Sequence, residues 1–514
     1  MANRLNAFFA WINGRNTALL ISVLCIANFI GYQPEGGEEQ YFAFAKQFME
    51  PAWMPNSFAL NHPAGGNLAF QIIIGFLLRF LSFEQMAFWG RLVNFVLYAI
   101  PLALIFRKLR ISNIEILFLL QVVFFSHQAL YAGEWIFKNL EEKTLAYIFV
   151  FWSLCFLLDD KPLASSLFAA IATYFHFLVG GWFFGFVILD FLFHQRKIMP
   201  VLYSGILYVV ITLPFILYLY KTYFINNPAI IDGIDTNAVY AFWRLKHHIG
   251  IVHDARYFFT YPFGGVMITL VMFLLCIFKF RKINDPIIRK LNLLNLIIFA
   301  QQFISLTVAA FDKNGVFVKT YPFRTNSISL FLFLTELTLI LKYYAGKNWY
   351  RKLASGKLHN RSQRKFIYSN SLNGLLVLTI LSVFIPETVS TVRNFNKLVD
   401  LDTDMLSLIG FVKENTPGSS VFIFPDGDRP LSFIRRAERE RFVVEKFTPT
   451  KSATICEWYK RAILKRRLKG DIALIDSIKQ VYQVNYLVSD SLYRYPSLVP
   501  EKQFGKHHIY RITQ

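Results

Sequence analysis

The sequence predicts a polytopic α-helical membrane protein of about eleven crossings, with a small α/β domain at the C-terminal end. Three observations lead there. The 514 residues are 55% apolar and only 17% charged, with a mean hydropathy of +0.39; a soluble chain carries about 25% charged residues. Apolar runs close to the length of a bilayer span recur from about residue 17 to about residue 388. Beyond that point the chain turns polar and alternates short strand patterns with helix patterns.

The net charge of +21 does not call for nucleic acid as a partner. In a membrane protein it follows from Lys and Arg gathered in cytoplasmic loops, and the partner it implies is the lipid bilayer. Arg4 and Arg15 precede the first apolar run, over 17–33, and no small-x-small cleavage site follows them. The start of the chain reads as a retained signal anchor with its N-terminus in the cytoplasm. The acidic stretch "GYQPEGGEEQYFAFAKQFMEPAWMP" (31–55) is then extracytoplasmic.

Two apolar stretches follow, 67–83 and 86–106. If both crossed, Arg107, Lys108 and Arg110 would lie outside, against the distribution of positive charge. The first is short and interrupted by Arg79, so it is expected as an interfacial or re-entrant helix, and 88–106 as the second span. The remaining spans are expected at about 112–130, 143–158, 162–178, 179–193, 199–220, 261–279, 291–311, 325–343 and 371–388. Basic clusters at Arg196–Lys197, at Lys279, Arg281 and Lys282, and across 341–366 then all face the cytoplasm. The domains expected are 1–388, with a first outer loop at 33–87, and an outer tail at 389–514. In that tail "SSVFIFPDGDRP", "RFVVEKF" and "VNYLVSD" read as strands, and "LDTDMLSLIGFVKENTPG" as a helix stopped by Pro-Gly.

Cys25, Cys155 and Cys276 fall in apolar runs and Cys456 in the tail, at no spacing that suggests a disulfide or a zinc site. Chemistry is expected in the outer loops. The first holds Glu38, Glu39, Tyr41 and His62; the second, 221–260, holds Tyr240, Arg244, Lys246, His247, His248 and His253; the third, 312–324, holds Lys319 and Arg324. Carboxylates in one loop and cations in others suit a phosphorylated lipid substrate: Arg and Lys hold the phosphate while a carboxylate takes a proton from the nucleophile. Plainer readings stand beside these. Glu38 and Glu39 also suit a helix N-terminus, and Arg79 and Arg91 suit side chains snorkelling to the headgroups. Adjacent histidines lack the i, i+4 spacing of a metal pair, so a divalent metal is an alternative that is not favoured, and no cofactor is expected. His127 and His176 read as packing residues near outer span ends, and Glu336 as a charge in mid-span.

The order of parts resembles the GT-C superfamily of integral-membrane glycosyltransferases. "GGEEQYFAFAKQF" is similar to their acidic first-loop motif, with Glu38 and Glu39 at its acidic positions and Tyr41 after them. "NHPAGGNLAFQIIIGFLLRFLSFEQMAFWGRLVNFVL" is similar to the passage leading into their second span, with His62, Pro63 and Arg91 as counterparts. A closer likeness is to an uncharacterised group of bacterial membrane proteins that share a Tyr-x-x-Arg-x-Pro-His-His loop motif. Here the counterparts are Tyr240, one position further from the arginine than in that motif, Arg244, His247 and His248, with Lys246 in the place of Pro. The group's tail pattern matches Phe433, Arg435 or Arg436, Arg439, Lys446, Glu457, Trp458 and Arg461.

The resemblance implies inverting transfer of a sugar from a polyprenyl-phosphate carrier to an envelope glycan, lipid or protein, on the outer face of a bacterial inner membrane. Glu38 or Glu39 would be the general base, and Arg244, His247, His248 and Arg324 would neutralise the leaving phosphate. Two other functions fit the composition: a transporter or flippase of a lipid-linked or anionic solute, and a non-catalytic scaffold for envelope assembly.

Overall fold

The computed structural model describes residues 12–62, 66–195, 198–223, 225, 227–354, 382, 384–398 and 401–513. Arg4, Pro63, Arg196, Lys197 and most of the span expected at 371–388 lie outside the described residues. The chain forms two compact units, one made of 1–31, 89–214 and 246–395, the other of 32–88, 215–245 and 396–514.

In chain order the main helices are α1 (Thr17–Phe29), α2 (Gly37–Met49), α3 (Leu68–Leu77), α4 (Phe83–Lys108), α5 (Asn113–Phe125) and α6 (Glu142–Leu158). They continue with α7 (Pro162–Phe175), α8 (Phe177–Gln195), α9 (Ile198–Tyr223), α10 (Phe263–Phe278), α11 (Pro286–Phe311) and α12 (Asn326–Ala354). Among the described residues, six segments are long and apolar enough to cross a membrane, and they lie in α4, α8, α9, α10, α11 and α12. This is the pattern of a polytopic helical membrane protein. The helices α1, α3, α5 and α7 are apolar but shorter. At 10 residues, α3 extends only about 15 Å, half the thickness of a bilayer core.

Within the first unit the helix ends are tied by charge at two levels. Lys108 at the end of α4 meets Asp159 just past α6 at 2.6 Å, Lys290 on α11 meets Asp160 at 2.5 Å, and Lys342 on α12 meets Glu115 at the start of α5 at 3.0 Å. The opposite ends of α5, α6 and α12 carry a second charged cluster, described below. α5 therefore runs in one direction between the two levels, and α6 and α12 in the other. Between the two levels the core is aromatic, with Phe95, Tyr98, Phe137, Phe151 and Phe331 fully buried.

The span expected over 112–130 ends as helix at Phe125. His127 and Gln128 adopt left-handed backbone conformations (φ 54° and 66°), which no helix continues. The spans expected at 162–178 and 179–193 meet at His176, which closes α7 in extended conformation. Gly180 makes that junction tight: a Cβ there would collide with the backbone of Thr173.

In the second unit α2 packs on α3, and a Cβ on Gly75 would collide with the carbonyl oxygen of Ala45. The tail contributes α13 (Thr403–Asn415), β1 (Val421–Ile423), α14 (Phe433–Ala437), β2 (Glu440–Arg441), α15 (Ser452–Leu468), α16 (Leu474–Tyr482), β3 (Tyr486–Ser489), β4 (Leu498–Phe504) and β5 (His507–Ile512). The sheet order is β2-β1-β3-β5-β4, with β2, β1 and β3 parallel and the last two strands antiparallel to their neighbours. The expected strand over "RFVVEKF" is reduced to Glu440–Arg441, and the terminal hairpin β4–β5 joins the sheet beyond the strands read from sequence.

Gly180→Val forces the α7–α8 junction apart, at a cost of about 1–3 kcal/mol or more. It is expected to lower the melting temperature in detergent, whereas Gly185→Ala, with open space around the added methyl, leaves it unchanged.

Candidate functional site

Two charged centres are built into the described residues, one in each unit. In the second unit, Glu38 and Glu39 occupy the first turn of α2, the end of a helix that favours negative charge. Glu38 is fully buried, and its Oε2 accepts the backbone N–H of Glu35 at 3.0 Å. The Glu39 carboxylate is held by both arms of one guanidinium. Arg435 Nε donates to Oε2 at 2.5 Å and Nη2 to Oε1 at 2.9 Å.

Arg435 also donates to Glu84 at 2.8 Å, and Arg436 reaches Glu84 at 3.1 Å and Gln33 at 3.0 Å. Burial by itself would lower the pKa of Arg435, but Glu39 and Glu84 outweigh it and raise it above the usual range. Arg435 was legible only through the tail pattern; its partner lies 396 residues away along the chain.

The other expected site residues of this unit have separate partners. Arg244 donates from Nε to the carbonyl of Glu445 at 2.6 Å, and the neighbouring Trp243 ring lies 4.2 Å from the Arg466 guanidinium. Tyr240 is buried. His62 Nδ1 bonds the carbonyl of Phe58 at 2.8 Å, and Tyr41 packs edge-on against Phe70.

The first unit gathers its charges around a residue the sequence reading passed over. Glu134 lies in the segment between α5 and α6 and is 3% exposed. Its Oε2 is 3.3 Å from Lys143 Nζ, and its Oε1 is 3.2 Å from Arg324 Nε and 3.6 Å from His248 Nδ1. Arg324 also lies against His176 Nε2. Lys143 stands 3.2 Å over the Trp135 ring and 3.6 Å from Glu141. Two of the expected cations, His248 and Arg324, are thus brought together, with Lys143 and His176 added.

The backbone around Glu134 is forced into this shape. Ala132 and Gly133 are left-handed (φ 67° and 57°). The Gln128 side chain accepts from Ile136 N at 2.9 Å and Phe137 N at 2.6 Å, while Asn326 accepts from Leu130 N at 2.7 Å. Left-handed non-glycine residues persist where their surroundings over-determine them, a condition common at functional sites. Burial favours the neutral Glu134 carboxyl, yet Arg324, Lys143 and His248 overturn that and push it down to about 2. Burial dominates at His248, pushing it down to about 4, so its ring is neutral at pH 7. With the Ala132 carbonyl 2.9 Å from Nδ1, that nitrogen carries the proton.

Beside Arg324 is a small apolar gap of about 10 Å³, lined by Val150, Val179, Trp182, Phe183, Phe186 and Ile328. Lys246 pairs with Asp254 at 2.6 Å, His247 stacks beside His248, and Lys319 lies on the short turn Val318–Thr320. Arg91 is 1% exposed and donates to the carbonyl of Gly31 at 3.1 Å. It is a buried contact between α4 and the end of α1, and snorkelling does not describe it. Among the described residues no group of three or more His, Cys, Asp or Glu side chains is placed to hold a metal ion. No protein-family model matches the chain, and no curated protein matches it.

Glu134, at least, carried a signal in "YAGEWIFKNLEEK": an acid beside Gly and Trp at an expected outer span end. Its significance rests on contacts with Arg324, 190 positions away, which a linear reading does not supply.

Two outcomes are expected. His248 binds a proton more readily unfolded than folded, so stability falls as pH drops from about 6.5 to about 4. Glu134 adds a further loss as pH drops from about 4.5 toward about 2. His248→Gln makes the first part of a melting-temperature profile against pH shallower and keeps most of the second, which Arg324 and Lys143 sustain. Arg435→Met strands Glu39 and Glu84, and costs on the order of 3–5 kcal/mol, read as a lower melting temperature that Arg435→Lys partly restores.

Proposed function

We propose that the chain is a membrane transferase that moves a sugar from a polyprenyl-phosphate carrier to an acceptor hydroxyl on the outer face of the membrane. The observation that carries this reading is the cluster of Arg324, Lys143, His176 and His248 around Glu134, with the apolar side chains of Val150, Val179, Phe183 and Ile328 beside Arg324. An isoprenoid phosphate has that division of chemistry: a charged head for guanidinium and ammonium groups, and a hydrocarbon tail for Val, Ile, Trp and Phe. Glu134 orients the two cations. With its carboxyl held near 2 it is a poor proton acceptor at neutral pH.

The general base in this reading remains Glu38 or Glu39. One of them takes the proton of the acceptor hydroxyl as its oxygen attacks the anomeric carbon. The bond from that carbon to the phosphate oxygen breaks with inversion, and the carrier phosphate leaves as the anion. The GT-C resemblance, a bacterial inner membrane and a cytoplasmic N-terminus belong to the same proposal.

One observation favours a second reading, transport. Glu336, fully buried in α12, accepts from Asn295 Nδ2 at 2.7 Å and lies 3.8 Å from Cys276 Sγ. A carboxyl group deep in a span is common in proteins that move ions or solutes.

The transferase reading expects Glu38→Gln, Glu39→Gln or the double variant to abolish transfer to the envelope acceptor, and Arg324→Ala to lower it at least a hundredfold, with protein levels in the membrane unchanged. Mass spectrometry of cell-surface glycans reads the outcome. Normal glycans in all four strains, with uptake or flipping by the purified protein in liposomes, favour transport instead.

A further inference from the structure

The tail sheet has a topological feature that the transferase reading does not use. From β1 the chain goes through α14 to β2 on one side of β1, then through α15 and α16 to β3 on the other side. All three strands are parallel. Right-handed crossovers in opposite directions place their helices on opposite faces of the sheet. Open α/β sheets bind ligands outside the carboxyl ends of their parallel strands, and here the chain leaving β1 enters α14 whereas the chain leaving β3 turns back into the β4–β5 hairpin.

A cleft of about 690 Å³ lies at that position, within the range of small-molecule sites. Phe424, just past β1, and Met405 of α13 give it an apolar wall. Asp426 follows β1, Asp490 follows β3, and Lys506 and His507 come from the start of β5. These polar groups are fixed from behind. Asp426 Oδ2 accepts from Ser489 Oγ at 2.5 Å and from Asp490 N at 2.9 Å. His507, 4% exposed, sits between Asp490 at 2.5 Å and Asp402 at 3.3 Å.

We propose that this crevice binds a saccharide, and that it receives the glycan acceptor of the reaction. The second half of this statement rests on the transferase reading; the first stands on the crevice itself. The Asp490 and Asp402 side chains remain about half exposed. A carboxylate offers about four lone-pair positions, more than the contacts described here fill, so both carboxylates keep acceptor capacity for hydroxyl groups. Lys506, 3.7 Å from Asp490, supplies donors to ring and hydroxyl oxygens. Phe424 and Met405 are largely buried, with the Arg441 guanidinium 4.3 Å over the Phe424 ring, and they close the cleft on its apolar side. Of the four aspartates in the lining, Asp428 is paired with Lys465 at 2.7 Å and Asp426 lies 3.8 Å from Lys469, so with Asp402 and Asp490 set against Arg429 and Lys506 no excess of cations is left for a phosphate or nucleotide, and a neutral polyol suits the walls.

The test uses the full-length protein in detergent and fluorescently labelled oligosaccharides released from the envelope of the source cells. Binding is expected, with affinity reduced about tenfold or more in Asp490→Asn, in Phe424→Leu and in Lys506→Ala. The last variant changes an exposed side chain, so a folding defect does not confound it. Lys413→Ala, on the exposed face of α13, should bind as wild type. Polyprenyl-phosphate binding is measured on the same preparations. Lipid phosphate bound without any oligosaccharide, or an affinity unmoved by Asp490→Asn and Lys506→Ala, overturns the crevice and leaves the transferase reading standing. Oligosaccharide bound without lipid phosphate sustains the crevice as a glycan site and removes its role as an acceptor site.

Discussion

A carboxylate sealed inside an apolar helical bundle is tolerated only when cations are brought to it. Several kcal/mol of lost hydration have to be matched by close, well-aligned partners. Glu134 meets that condition with Lys143 at 3.3 Å and Arg324 at 3.2 Å. Much else in the first unit follows from it. The segment between α5 and α6 is bent into left-handed conformations and clamped by Gln128 and Asn326. Lys143 is fixed at the start of α6 and Arg324 just before α12. A bundle organised around one such centre has a charged mouth whose geometry is set before any ligand arrives, the condition under which electrostatic stabilisation is most effective.

The second unit solves the same problem at Glu39, where a single guanidinium grips one carboxylate with two hydrogen bonds and a second with one. The tail is therefore tied to the first loop by ion pairs from Arg435 and Arg436. Glu38, by contrast, spends one oxygen on the N-terminal turn of α2. The two neighbouring glutamates carry different duties although the sequence presents them as equivalents.

The class of fold was legible because it rests on local quantities. Hydropathy over a window, basic residues at span ends and a Pro-Asp-Gly turn after an apolar strand all act over a few residues, and they pointed to membrane helices and to strands at 421–423 and 486–489. The interruptions were less legible. The end of α5 at Phe125 comes from side chains of Gln128 that fold back on the chain, and the α7–α8 junction at His176 depends on a missing methyl at Gly180. Least legible were the partners of buried charge. Arg324 was expected to serve a phosphate, and His248 with it, but the acid that gathers them lies in a different loop from the acidic pair that drew attention first. Arg91, read as a side chain reaching for headgroups, is enclosed because a backbone carbonyl 60 positions away completes its hydrogen bonding.

The lipid phosphate proposed for the cations around Glu134 can be offered to the purified protein beside its alcohol. Native mass spectrometry with polyprenyl phosphate and the corresponding polyprenol in equal amounts reads which is kept. The phosphate is expected to be retained in preference to the alcohol, and Arg324→Ala with Lys143→Ala to remove the preference. Equal retention of the two lipids by the wild-type protein, or a preference undiminished in the double variant, would contradict that proposal.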